Sequence, residues 1–104
     1  MHVVIWRFTP RPGKEEEFEL RYATGGAWDL LFREAEGFVS TELLRPAGDS
    51  AGYLTIDRWR SATAFADFLR DNNEAYKGLD AQCESLTADE VRLGTFSTVS
   101  AVRS

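Results

Sequence analysis

The chain has 104 residues, 43% of them hydrophobic and 28% charged, with a formal net charge of −5 at pH 7. That length suits one domain with a modest core, and the apolar content is enough to offset ordering entropy, which excludes a disordered chain. The acidic balance, with no local cluster of Lys and Arg, speaks against nucleic acid or an anionic membrane surface as partner, and no apolar run nears the ~20 residues of a membrane span.

Cys83 is the single cysteine, so no intrachain disulfide can form and a reducing compartment fits best. With no signal-peptide pattern ahead of the first strand, the expectation is a cytoplasmic protein.

His2 to Thr9 is rich in β-branched and aromatic residues and reads as a strand, ended by Pro10 and Pro12. Gly13 and the acidic run Glu15 to Glu17 then mark a helix start, since carboxylates favour the positive end of the helix dipole. Phe18 and Tyr22 share one face of that helix. Gly25-Gly26 interrupts it, and Trp28, Leu31, Phe32 and Ala35 resume the period. The spacing therefore predicts a bent or broken helical region closed by Gly37.

Phe38 to Arg45 and Tyr53 to Trp59 read as two strands of a hairpin joined by the turn-forming segment Pro46 to Gly52. Ser61 caps a second helix bearing Phe65, Phe68 and Leu69, which Asn72-Asn73 breaks. Tyr76, Leu79, Cys83 and Leu86 form a further helical stripe, with Gly78 as its weak point. Thr87 to Glu90 imitates a capping box but is expected to be a short turn, and Val91 to Val99 reads as the last strand. Residues 1–104 are one domain, with residues 100–104 a loose tail.

The order β-α-β-β-α-β predicts an α+β, ferredoxin-like fold: four antiparallel strands with helices on one face. In the first strand His2, Val4, Trp6 and Phe8 alternate with Val3, Ile5 and Arg7, so the face away from the helices is apolar as well. Left in water it would be an aggregation liability, and the expectation is a homodimer through that second face.

Elimination narrows the chemistry. One His and one Cys, far apart, give no turn-spaced ligand pair, so no metal site is expected. A nucleophilic triad would have to recruit His2, the only side chain that titrates near neutrality unaided, and no nucleophile turn is present. Gly25-Gly26 does not follow a strand, so no nucleotide cradle is implied. Glu42, Asp57, Arg58 and Arg7 fit ion pairs at the sheet rim or across the dimer; a raised-pKa Asp57 acting as base is the lesser reading, which nothing in the sequence supports. The aromatic set remains: Trp6, Phe8, Tyr22, Trp28, Phe32, Phe65, Phe68 and Tyr76 all fall on inward positions. Individually each is ordinary core. Together they predict an apolar pocket, with Trp6, Tyr22, Tyr76 and His2 as the polar-tipped candidates for catalysis.

The pattern is similar to the antibiotic biosynthesis monooxygenase superfamily of dimeric α+β barrels. The resemblance rests on Val3 to Phe8 with Trp6, Arg11-Pro12-Gly13, Phe18 and Tyr22, Gly26-Ala27-Trp28 with Leu31-Phe32, and Gly37-Phe38 with Thr41-Glu42-Leu43. It continues through Ile56-Asp57-Arg58-Trp59 into Ser61, Phe65 and Phe68, then Leu79-Asp80, Cys83-Glu84, Leu86-Thr87, Leu93-Gly94 and Phe96. The resemblance implies a homodimer whose subunits each hold a pocket between sheet and helices. For its haem-degrading branch it implies an Asn on the first strand, a Trp on the helix after the third strand and a His iron ligand. Those positions hold Trp6, Phe68 and a residue near Lys77 or Gly78 here, so haem is not expected. What the resemblance implies for activity is cofactor-independent monooxygenation of a small phenol- or quinol-like aromatic. Its alternatives are a non-catalytic dimer that binds a small aromatic or lipophilic molecule, and an isomerase- or decarboxylase-like enzyme.

Overall fold

Strand β1 (His2–Pro10) forms where the sequence alternates two apolar sets, and it sits inside the sheet rather than at an edge. In the computed structural model, which describes residues 1–100, β1 pairs antiparallel with both β3 (Tyr53–Trp59) and β4 (Thr87–Ser97). β2 (Phe38–Leu44) pairs with β3, giving the order β2-β3-β1-β4. Helices α1 (Glu15–Tyr22) and α2 (Ala27–Phe32) link β1 to β2. Helices α3 (Ala62–Asp71) and α4 (Asn73–Cys83), with a 3₁₀ turn over Glu84–Leu86, link β3 to β4. This is the ferredoxin-like α+β arrangement that the element order predicts. Residues 101–104, most of the expected tail, lie outside the described residues.

Cross-strand register sorts the side chains. Thr41, Asp57, Val4 and Thr95 form one transverse row on the helix side of the sheet; Leu43, Thr55, Trp6 and Arg92 form the next. Helices cover the β1, β2 and β3 members of these rows, while Thr95 and Arg92 on β4 are exposed; Trp59, Phe18, Phe68 and Val4 are almost wholly buried in that layer. The opposite face carries Val3, Ile5, Leu54 and Ile56, with Leu44 and Phe96 each more than two-fifths exposed. Among the described residues, no helix is long and apolar enough to cross a membrane.

The break between α1 and α2 has a steric origin. Gly25 adopts φ +87°, and a Cβ on Gly26 would fall 2.5 Å from the Leu20 carbonyl oxygen. Asp29, itself buried, accepts from the Gly25 N–H at 2.7 Å and from the Arg33 guanidinium at 2.8 Å, fixing the corner. Ser61 caps α3, its hydroxyl accepting from the Ala64 N–H at 3.1 Å.

Two expectations fail locally. Gly37 does not cap α2, which ends at Phe32; it lies where a Cβ would come within 2.3 Å of the Ala64 Cβ, so close approach to α3 is its reason. Thr87 to Glu90 is not a turn but the start of β4, because Thr87, Asp89 and Glu90 find ladder partners in Pro10, Thr9 and Phe8. Pairing to a long β1 overrides the weak strand propensity of Asp and Glu.

Candidate functional site

The strand rows and helix faces leave a gap between sheet and helices. It measures about 470 Å³ with its solvent-facing mouth included, though the centres of water molecules reach only about 50 Å³ of it. Its walls are six aromatic rings: Trp6 and Phe8 from β1, Tyr22 from α1, Trp28 and Phe32 from α2, and Tyr76 from α4. The rings brace one another. Tyr22 lies 4.9 Å from Phe8, and Trp28 meets Tyr76 edge-on at 5.1 Å. Such contacts fix the wall geometry without consuming the whole interior.

The floor is polar. Thr41, Thr55 and Asp57 project into the gap from β2 and β3, and Asp80 and Glu90 stand at its exposed rim. The Thr41 hydroxyl donates to Asp57 Oδ1, and the Thr41 carbonyl accepts from the Thr24 hydroxyl at 2.7 Å. Among the described residues, no Arg or Lys lines the gap. Burial pushes the Asp57 carboxyl from its ordinary 3.8 up to about 6, the Thr41 hydrogen bond pulling it partway back. Glu90 is also raised, first by burial and then by Asp80, Asp89 and Glu84.

The tyrosines lie on the other side of this balance. Burial raises Tyr22, with the Cys83 thiol adding to the effect, and burial raises Tyr76, with Asp80 and Asp57 adding. Both phenols therefore hold their protons at neutral pH and can donate but not accept them. The buried Trp28 Nε1 has no hydrogen-bond partner. Chemically, the site offers flat apolar walls, two phenol donors and one half-buried proton-accepting carboxylate.

The sequence-predicted residues divide. Trp6, Phe8, Tyr22, Trp28, Phe32 and Tyr76 converge on the gap. Phe65 and Phe68 do not line it; they pack against Trp59 with ring centroids at 5.2 and 5.1 Å. His2 lies at the strand end against Phe65, 5.7 Å between centroids, and is likewise absent from the lining.

Asp57 is the residue that sequence reading placed at the rim and the structure places inside. Glu42 and Arg58 do form the rim pair, at 2.8 Å, but Asp57 has no ion-pair partner among the described residues. A signal was present: Tyr53, Thr55, Asp57 and Trp59 share one parity on a strand whose other inward members are large or buried.

Haem does not fit this lining. The lining holds three carboxylates and, among the described residues, no Arg or Lys to offset a dianionic haem, and the chain's one histidine is outside the gap. Among the described residues, no group of three or more His, Cys, Asp and Glu is arranged to hold a metal ion.

A family model described as antibiotic biosynthesis monooxygenase matches residues 1–77. Solved structures of similar fold include a point mutant of SnoaB, a cofactor-independent oxygenase from Streptomyces nogalater (19% identity, 99% of this chain and 97% of the other, TM-score 0.74). They also include MhuD, a haem degrader from Mycobacterium tuberculosis with two haems in its active site (21% identity, 99% and 100%, TM-score 0.72). HapK from Hahella chejuensis matches at 11% identity over 100% of this chain and 98% of the other, with a TM-score of 0.72. No curated protein sequence is detectably similar.

Proposed function

The chain belongs to the antibiotic biosynthesis monooxygenase family, and from that premise we propose that its cavity binds a small, flat hydroxyaromatic and prepares it for direct reaction with O₂, with no bound cofactor. The observation that carries this reading is the six-ring aromatic wall closed over a polar floor. An anthrone-type substrate in its enol form loses the O–H proton, and the anion gives one electron to O₂. The resulting radical and superoxide combine at carbon as a hydroperoxide, which loses water to leave a new carbonyl. One O₂ is consumed, one of its oxygens entering the product and the other leaving as water. The protein's share is to hold the ring plane, keep water out and manage the proton.

Dithranol, an anthrone, provides the test. Oxygen uptake above the uncatalysed autoxidation is expected with the wild type, and a loss of at least about tenfold in Trp6→Ala and Tyr76→Ala, which open the walls. No uptake above the blank with dithranol or naphthoquinol would overturn the oxygenase reading. The carboxylate on the floor favours a second reading, proton-transfer isomerisation without O₂, which would leave the oxygen trace flat while substrate absorbance changes. Binding of dithranol with neither change would instead mark a non-catalytic binder.

The protein is further proposed to work as a homodimer. The face opposite the cavity presents Val3, Ile5, Leu54 and Ile56 with the exposed rings and methyls of Phe96 and Leu44 around them. Arg7 and the Glu42–Arg58 ion pair share that face, so its apolar part is a patch framed by charge, and a second copy laid over the patch would take it out of water.

A further inference from the structure

We propose that Asp57 receives the hydroxyl hydrogen of an uncharged hydroxyaromatic bound in the aromatic cavity, with Thr41 as the residue that positions its carboxylate. This rests on the oxygenase reading for the identity of the reaction, but not for the contact itself.

The geometry supplies the assignment. Asp57 lies on the floor of the cavity, in the row between Thr41 and Val4, facing the gap that the rings enclose. Thr41 occupies Oδ1 from one side, and among the described residues no side chain donates to Oδ2. The carboxylate is half-buried, so Oδ2 stays open towards the cavity and can accept a hydrogen bond from a guest there. The groups around the cavity do not compete for that position. α1 contributes the Tyr22 phenol, α4 contributes Tyr76 and Asp80, and β4 contributes Glu90, with Arg92 close enough to be felt at Tyr76. α2 presents only Trp28 and Phe32 to the cavity. Tyr22 and Tyr76 keep their protons, and Asp80 and Glu90 stand at the exposed rim, so Asp57 is the carboxylate acceptor on the floor.

The same lining sets the charge of the guest. Asp57, Asp80 and Glu90 are all acidic and no cation offsets them in the lining, so a carboxylate-bearing aromatic meets like charge at the mouth and again at the floor. A neutral phenol meets neither. In turnover, Asp57 takes the O–H proton as the anion forms and returns it to the oxygen that departs as water, so the carboxylate is regenerated and no net proton is consumed.

Two readouts test this independently. At pH 7.5, 2-naphthol is expected to quench the tryptophan fluorescence of the wild type at concentrations at least about tenfold below 2-naphthoate. Asp57→Asn should weaken 2-naphthol binding severalfold, because the amide is the poorer acceptor, and strengthen 2-naphthoate by about tenfold; lowering the wild type to pH 5 should narrow the gap in the same direction. With dithranol, Asp57→Asn should lose about a hundredfold or more in oxygen uptake. Thr41→Val should shift the acid limb of the rate profile to higher pH, because the hydrogen bond it removes favours the charged form. Equal binding of naphthol and naphthoate by the wild type overturns the assignment, as does an Asp57→Asn protein with unchanged oxygen uptake and pH profile. If the wild type itself takes up no oxygen, the oxygenase reading falls and the naphthol-to-naphthoate ratio alone decides the role of Asp57.

Discussion

Thr41 and Asp57 face each other across the β2–β3 ladder, and among the described residues the Thr41 hydroxyl is the one side-chain donor to the Asp57 carboxyl. The pairing places a carboxylate between the hydroxyl-bearing floor and the aromatic walls, with a single side-chain hydrogen bond to hold it.

That relationship makes stability depend on pH in a definite direction. The folded-state pKa of Asp57, about 6, lies above its ordinary 3.8, so the folded state binds the proton more tightly than the unfolded chain does. The contribution is fully favourable below about pH 4, is lost as pH rises towards 6, and leaves a penalty of roughly 2–3 kcal/mol at pH 7.5. Asp57→Asn is therefore expected to raise stability in urea at pH 7.5 by up to that amount and to match the wild type near pH 4. Equal destabilisation at both pH values would contradict a strained carboxylate. A gain in stability with loss of function is the usual trade at a site held for chemistry.

All three tyrosines are raised above the ordinary phenol range. Burial dominates at Tyr22 and Tyr76, and the bond from the Tyr53 hydroxyl to Glu19 dominates at Tyr53. Absorbance at about 295 nm should then show no tyrosinate step near pH 10 in the folded protein. The three phenols should ionise together as the protein unfolds in alkali. A separate, reversible step at ordinary pH would show that at least one ring is free.

Most of the fold was legible because its signals are local. The alternation in β1, the glycine pair after Tyr22, the Ser61 cap and the Asn72-Asn73 break each specify a boundary through neighbours in sequence. What escaped depends on partners remote in sequence. Thr87 to Glu90 became strand because β1 is long enough to pair with it, and Gly37 is explained only by Ala64. The cavity walls were legible through periodicity, which cannot say that Phe65 and Phe68 spend themselves on Trp59 instead. Asp57 was visible in the parity of β3 but was outweighed by the general rarity of buried acids.

Gly37 gives a stability prediction that isolates one contact. A methyl there would overlap the Ala64 methyl at the start of α3, so Gly37→Ala should cost about 1–3 kcal/mol as overpacking. Ala64→Gly alone should cost about 1 kcal/mol of helix propensity. The double variant should be more stable than the sum of the two losses predicts, because the removed methyl makes room for the added one. Strict additivity in urea melts would mean that the backbone at residue 37, and not the contact with α3, sets the cost.

The second sheet face gives the last prediction. Ile56 sits at its centre, paired with Ile5 on β1 and Glu42 on β2. If two copies meet there, Ile56→Asp would bury an unpaired carboxylate in the interface, a penalty large enough to separate the subunits at micromolar concentration. Sedimentation should then move from a species of twice the chain mass to one near the 11.7 kDa of a single chain. Leu20→Asp, on an exposed position of α1, adds the same charge away from that face and should leave the sedimentation unchanged. A wild type that already runs as a single chain would end the dimer proposal. A dimer indifferent to Ile56→Asp would move the interface to another surface. Because Ile56 and Asp57 are consecutive on β3 and point to opposite faces, one strand would then carry the interface on one side and the proton acceptor on the other. Dithranol binding by the separated Ile56→Asp subunit would show how far the cavity depends on the pairing behind it.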